Sequence, residues 1–221
     1  QMAVETICNV LANVAERTPR RDALKYAIEK ANDVIYSKAK EMPELQGMGT
    51  TVAAVIINER SAVIAHVGDS RIYQLRKGTI VYRSADHSFV AGLVREKKLT
   101  EEEARNHPRA NVITRALGIR PEVEPEFDEE SFLCGDRFVL CSDGIWGAMP
   151  QPELIKQLSR VMGIEELTAN MANEIDQMGF LSGGGHDNLT LVITETKTKS
   201  KLKENMKNKT TLILSVIAAI L

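Results

Sequence analysis

Several things are scarce in this 221-residue chain, and each scarcity narrows what it can be. Cysteine is limited to Cys8, Cys134 and Cys141, an odd number without metal-type spacing. That excludes a disulfide scaffold and points to a reduced setting. A large excess of either charge is missing: the formal net charge is −2, which gives no case for nucleic acid as a partner. No internal repeat is present. Nor is there an uncharged run long enough to cross a bilayer by itself. The one at the C-terminal end, Thr211 to Leu221, would reach roughly 16 Å as a helix, about half of the ~30 Å hydrocarbon core.

That run follows the one biased segment of the chain, with Lys197, Lys199, Lys201, Lys203, Lys207 and Lys209. A solvated tail with a sticky end is one interpretation. The favoured one makes 211–221 the start of a truncated transmembrane helix. It would be a single-pass C-terminal anchor, with 196–210 as a Lys-rich juxtamembrane linker on the cytoplasmic side. The other end opens on Gln1 and runs directly into a helical pattern, so earlier strands are expected upstream.

What is present suits one globular domain, 43% hydrophobic and 26% charged. Apolar stripes predict helices over 3–16 and 20–41, separated at Pro19. Short strands follow over 50–58, 61–67, 71–76 and 79–83, with turns too short for crossover helices, which makes them antiparallel neighbours. Residues 87–107 read as helical, with Thr100 to Glu103 as a capping box. The stretch 109–122 reads as loop, and 123–136 as acidic and irregular. Phe138 to Cys141 is a buried strand, helices follow near 151–161 and 164–179, and a last strand spans 188–195. Helices bracketing antiparallel strands imply an α+β fold.

Three aspartates stand beside glycines at strand edges: Asp69 in Gly68-Asp69-Ser70-Arg71, Asp143 in Ser142-Asp143-Gly144, and Asp187 in Gly185-His186-Asp187-Asn188. Two such charges ~4 Å apart repel by about 4 kcal/mol at an effective dielectric of ~20. A converged set therefore stays partly protonated or shares cations. Oxygen-only donors favour Mg²⁺ or Mn²⁺ over zinc. Taken singly, each aspartate could simply serve a turn. Gly144 is expected to let the chain turn. Arg71 reads as a structural ion pair, Trp146 as a core anchor, and Cys141 as inert.

These motifs, with Gly49-Thr50-Thr51, Asp86-His87-Ser88 and the Asn111 to Gly118 segment, resemble the bacterial metal-dependent, type 2C Ser/Thr protein phosphatases over roughly 1–195. The resemblance implies a four-layer α-β-β-α sandwich of two antiparallel sheets, lacking its early strands. It implies hydrolysis of phosphoserine and phosphothreonine in proteins by a water bridging two Mn²⁺ or Mg²⁺ ions. Asp143 and Asp187 would be ligands of these ions, and Asp69 would share a third, weaker ion with Asp143. Gly68, Ser142, Gly144 and Asn188 would support them, with 87–107 as a flap. The implied partners are phosphorylated proteins, a cognate Ser/Thr kinase and its substrates. The family's Asp-Gly-x-Gly-Gly, whose aspartate bridges both core ions, does not occur here, so the chain as written is expected to be inactive. The alternative is a non-catalytic pseudophosphatase module that binds phosphoproteins.

Overall fold

The computed structural model describes residues 1–15, 17–58, 61–181, 188–197 and 213–217. Helices α1 (Met2–Asn13) and α2 (Arg20–Glu41) form where the apolar stripes fall, with Pro19 at the N-cap of α2. Four strands follow: β1 (Val52–Ile57), β2 (Ser61–Val67), β3 (Arg71–Arg76) and β4 (Thr79–Arg83). Two short helices come next, α3 (Phe89–Arg95) and α4 (Glu101–Arg105), then β5 (Glu126–Ser131) and β6 (Arg137–Cys141). The single turn α5 (Asp143–Trp146) leads to α6 (Gln151–Leu158), α7 (Ile164–Leu181), β7 (Leu191–Glu195) and β8 (Ile213–Ile217).

The strands build two antiparallel sheets, ordered β5-β2-β1-β8 and β4-β3-β6-β7. Period-two alternation sorts each central strand into two faces. Ala53, Val55, Ile57, Ala62 and Ile64 meet Ile72, Phe138 and Leu140 between the sheets. The opposite face of the first sheet, including Val52, Ala54, Ile56 and Val63, packs under Leu24, Ile28 and Ile35 of α2 and Ile7 of α1. Tyr73, Leu75, Val139 and Cys141 pack under α6 and α7 through Leu154, Leu158, Leu167 and Met171. Each fully buried side chain of this kind stabilises the fold by about 1.5–3 kcal/mol relative to exposure. The layers are therefore α-β-β-α, as the resemblance implied.

The structure differs from the sequence-based expectation in four places. The strands over 50–83 are two hairpins, β1–β2 and β3–β4, but β2 and β3 are not neighbours. The short link Gly68-Asp69-Ser70 carries the chain from one sheet to the other. The acidic stretch expected to be irregular contains β5, which pairs with β2 from Ser61↔Ser131 to His66↔Glu126. Phe127 turns toward the helix layer, with the Arg21 guanidinium 5.2 Å over its ring, while Asp128 accepts 2.7 Å from the Tyr82 hydroxyl. Charge suits such a strand because it lies at a sheet edge. The expected helix over 87–107 is two helices, the second opened by the predicted capping box between Thr100 and Glu103.

The fourth difference is at the end of the chain. Ile213–Ile217, expected to begin a membrane helix, is strand β8, paired with β1 from Ala53↔Ile217 to Ile57↔Ile213. Three of its five residues are β-branched (Ile213, Val216 and Ile217), which suits a pleated sheet as well as it suits lipid. Among the described residues no helix is long and apolar enough to cross a membrane.

Candidate metal centre

Asp69 sits in the link that crosses between the sheets, and the crossing explains the glycine before it. Gly68 has φ +102°, and a Cβ there would lie 2.3 Å from Cγ2 of Thr51. Only a residue without a side chain fits that backbone in that space. His87 then fixes the glycine at both backbone groups. Its own N–H donates to Gly68 O at 2.9 Å, and its Nδ1 accepts from Gly68 N–H at 3.1 Å. Ser70 closes the link through a 2.8 Å hydroxyl contact with Thr51.

Asp143 follows β6 directly and opens α5. Gly144 lies where the chain turns, as expected from sequence, with no left-handed conformation. It is part of this helical turn and donates its N–H to Asp143 Oδ1 at 2.9 Å. Behind it, Ser142 is buried and held by three bonds. Its N–H donates to Thr190 O at 3.0 Å, its hydroxyl donates to Asn188 O at 2.9 Å, and it accepts from Thr190 N–H at 3.1 Å. Ser142 thus ties the Asp143 turn to the segment just before β7. Asn188 takes part through its backbone carbonyl. Asp187 lies outside the described residues.

Asp69 and Asp143 line one groove of about 1340 Å³, which runs between α3 and α4 on one side and α5 to α7 on the other. Val90, Val94, Trp146 and Ile175 give it an apolar floor. Asp69 is only 7% exposed. Its carboxyl pKa is pushed up to about 6, by burial first, then by the charges of Asp143 and Asp86. Arg71, the nearest candidate counter-ion, is engaged elsewhere. Its Nε and Nη2 donate to Asp86 Oδ1 and Oδ2 at 2.9 and 2.7 Å, and its guanidinium lies 3.6 Å over the Trp146 ring. Burial opposes the Arg71 charge, but the hydrogen bonding and charge of Asp86, with Tyr73, together more than offset it and raise its pKa. A buried carboxylate and a half-buried one, offering oxygen donors in one groove, fit a hard divalent ion.

A second cluster offers softer donors. His66, His87 and Glu126 bring one potential ligand atom each within 4.8 Å, with the two imidazoles stacked at 4.7 Å. The tautomers argue against a metal there. His87 Nδ1 accepts from Gly68 N–H, so its Nε2 carries the proton and donates to Glu126 Oε2 at 3.0 Å. A metal at Nε2 would need that proton moved to Nδ1, against a backbone N–H. Burial lowers the His87 pKa and favours the neutral ring, against the Glu126 hydrogen bond, which raises it. The trio supports the Asp69 turn.

The other residues singled out by sequence fall into place around the groove. Arg71 is the structural ion pair expected of it. Cys141 is fully buried, and burial pushes its thiol up to about 12, so it is inert. The flap expected over 87–107 is docked. Arg83 bonds Glu101 at 2.7 and 3.0 Å and Gln151 at 2.8 Å, while Arg105 donates to Gly147 O at 2.6 Å. Sequence patterns did not reveal that Asp86, His87 and Trp146 brace the aspartate turns. The only signal for the first two was their place in a recurring Asp-His-Ser motif.

The model of the family described as protein phosphatase 2C matches residues 1–178. The serine/threonine phosphatase stp of Listeria welshimeri is 35% identical over 178 residues, which cover 80% of this chain and 69% of that protein. The serine/threonine protein phosphatase PstP of Mycobacterium tuberculosis is 34% identical over 198 residues, 88% of this chain but 37% of its own length. The crystal structure of the Mycobacterium tuberculosis phosphatase PstP/Ppp superposes with a TM-score of 0.79 at 31% identity, covering 90% of this chain and 81% of that one. A structure of the PstP catalytic domain with two manganese ions gives a TM-score of 0.73 at 30% identity, covering 89% and 81%.

Proposed function

From the premise that this chain belongs to the protein phosphatase 2C family, we propose that it removes phosphate from serine and threonine side chains of proteins, using Mn²⁺ or Mg²⁺. The observation that carries this reading is the pairing of Asp69 and Asp143 in the lining of one groove, with Arg71 bound to Asp86. Asp143 and Asp69 would hold cations through their carboxylates. Asp187 would join them by its motif, a reading that the bond from Ser142 to the Asn188 carbonyl supports. When bound, the ions supply a nucleophilic water at neutral pH and offset the charge of the phosphoryl group.

The chain's own residues do the rest. Gly68, His87 and Ser142 hold the two carboxylates on rigid backbone, so little reorganisation accompanies cation binding. The apolar floor around Val90, Val94 and Ile175 receives the peptide beside the phosphorylated residue and excludes water from it. Arg71 keeps its bidentate bond to Asp86 and does not clamp phosphate.

The absence of Asp-Gly-x-Gly-Gly motivates a finer proposal: these 221 residues turn over slowly or not at all, and binding of phosphoproteins is what they retain alone. The test compares a phosphothreonine peptide with this chain and with the same chain preceded by an Asp-Gly-x-Gly-Gly segment of a relative. The extended chain should release phosphate only with Mn²⁺ or Mg²⁺ and stop in EDTA. Release in EDTA would refute the metal-dependent reading. Equal turnover by the unextended chain would refute the need for the motif.

A further inference from the structure

We propose that Trp146 is a positioning residue, clasping the Asp69 turn to the helix that begins at Asp143 and so setting the cation affinity of the two carboxylates together. The inference rests on the reading of Asp69 and Asp143 as cation ligands and goes beyond it.

Trp146 closes the single turn α5 that Asp143 opens, and its backbone N–H donates to Ser142 O at 3.3 Å. Its side chain reaches across to the other aspartate. The indole Nε1–H donates to the Asp69 carbonyl at 2.9 Å, a bond between residues 77 positions apart. Arg71, two residues beyond Asp69, covers the face of the same ring at 3.6 Å. The link at 69–71 therefore grips the indole twice, at its rim by a hydrogen bond and at its face by a cation–π contact. Arg71 is itself held by both oxygens of Asp86, so the second grip does not swing away.

This arrangement answers a mechanical problem. Asp69 and Asp143 repel one another, and the cheapest relief in the metal-free protein is for the Asp69 turn to drift away from α5. His87 fixes Gly68 to the 84–88 segment but makes no bond to α5. The Trp146 indole N–H joins the Asp69 turn to α5 by a side-chain hydrogen bond. It also occupies the Asp69 carbonyl, which leaves the carboxylate as the group of that residue turned to a cation. Trp146 is half-buried and lines the groove with both aspartates.

The experiment uses the full 221-residue chain and Mn²⁺, with free ion measured by electron paramagnetic resonance. Trp146→Phe keeps a ring under Arg71 and removes the donor. It should weaken the Mn²⁺ site that Asp69→Asn also weakens by about three- to tenfold, the scale of one hydrogen bond. Asp69→Asn and the double variant should bind alike, since Trp146 acts through Asp69. A readout independent of Mn²⁺ comes from the chain's single tryptophan, whose one indole ¹⁵N–¹H resonance should shift on titration with diamagnetic Mg²⁺. Wild-type Mn²⁺ affinity in Trp146→Phe, with Asp69→Asn impaired, would overturn the positioning role alone. Additive losses in the double variant would do the same. Equal Mn²⁺ binding by wild type and Asp69→Asn would overturn the ligand assignment, and the inference with it.

Discussion

Replacing Asp69 by asparagine should make the metal-free protein more stable at neutral pH, and the pH dependence identifies the cause. Burial and the charges of Asp143 and Asp86 raise the folded-state pKa of Asp69 from 3.8 to about 6. At 1.36 kcal/mol per unit this is about 3 kcal/mol of cost for the ionised group, taken as an upper bound. The sign follows from proton binding. Between roughly pH 4 and 6 the folded state holds a proton on Asp69 that the unfolded state has lost, so stability falls as pH rises through that window. Below it both states are protonated, and above it the full cost applies. Asparagine is neutral throughout and nearly isosteric. The gain from Asp69→Asn should therefore be near zero at pH 4 and grow to about 1–3 kcal/mol by pH 7. Urea unfolding in EDTA across that range measures it, and millimolar Mn²⁺ should reverse the order by binding the wild-type folded state. A variant less stable than wild type at pH 7 in EDTA would refute the reasoning, as would a gain that does not change with pH.

Gly68→Ala should destabilise the fold by about 2–5 kcal/mol, since a side chain at φ +102° is strained and its Cβ would lie 2.3 Å from Thr51 Cγ2. A urea midpoint corresponding to a loss under 1 kcal/mol would contradict the close approach.

Much of the scaffold is legible because its signals are local. The α2 stripe of Leu24, Ala27, Ile28, Ala31 and Ile35 is the face that the structure buries. Thr100 and Glu103 form the capping box that their spacing announces. The strand β5 was not legible, for a physical reason. Its stability comes from pairing with β2, and partners distant in sequence accept its polar side chains. Ser61 reaches Glu129, Tyr82 reaches Asp128 and His87 reaches Glu126. A window of residues around 126–131 contains none of that. The crossing at Gly68 is hidden likewise, because Gly-Asp-Ser is ordinary turn chemistry until the Thr51 methyl behind it is known. The aspartates could be found from their strand-edge setting, but Trp146 could not. Its N–H partner is a carbonyl, and any residue supplies one.

The same contrast explains why the site can hold unrelieved negative charge. A fold that needed Asp69 only as a turn residue could neutralise it with Arg71, which is two residues away and buried beside it. Instead Arg71 gives both ends of its guanidinium to Asp86, and Asp69 is braced by groups that carry no net charge: the neutral His87 ring on Gly68 and the Trp146 indole on the Asp69 carbonyl. Neutral bracing holds position without supplying counter-charge. Much of the electrostatic cost stays in place, in keeping with the raised Asp69 pKa, and a mobile cation would offset it. Positioning by dipoles and counter-charge from solution would then be separate tasks, and that separation would let a divalent ion bind reversibly while the carboxylates stay where they are.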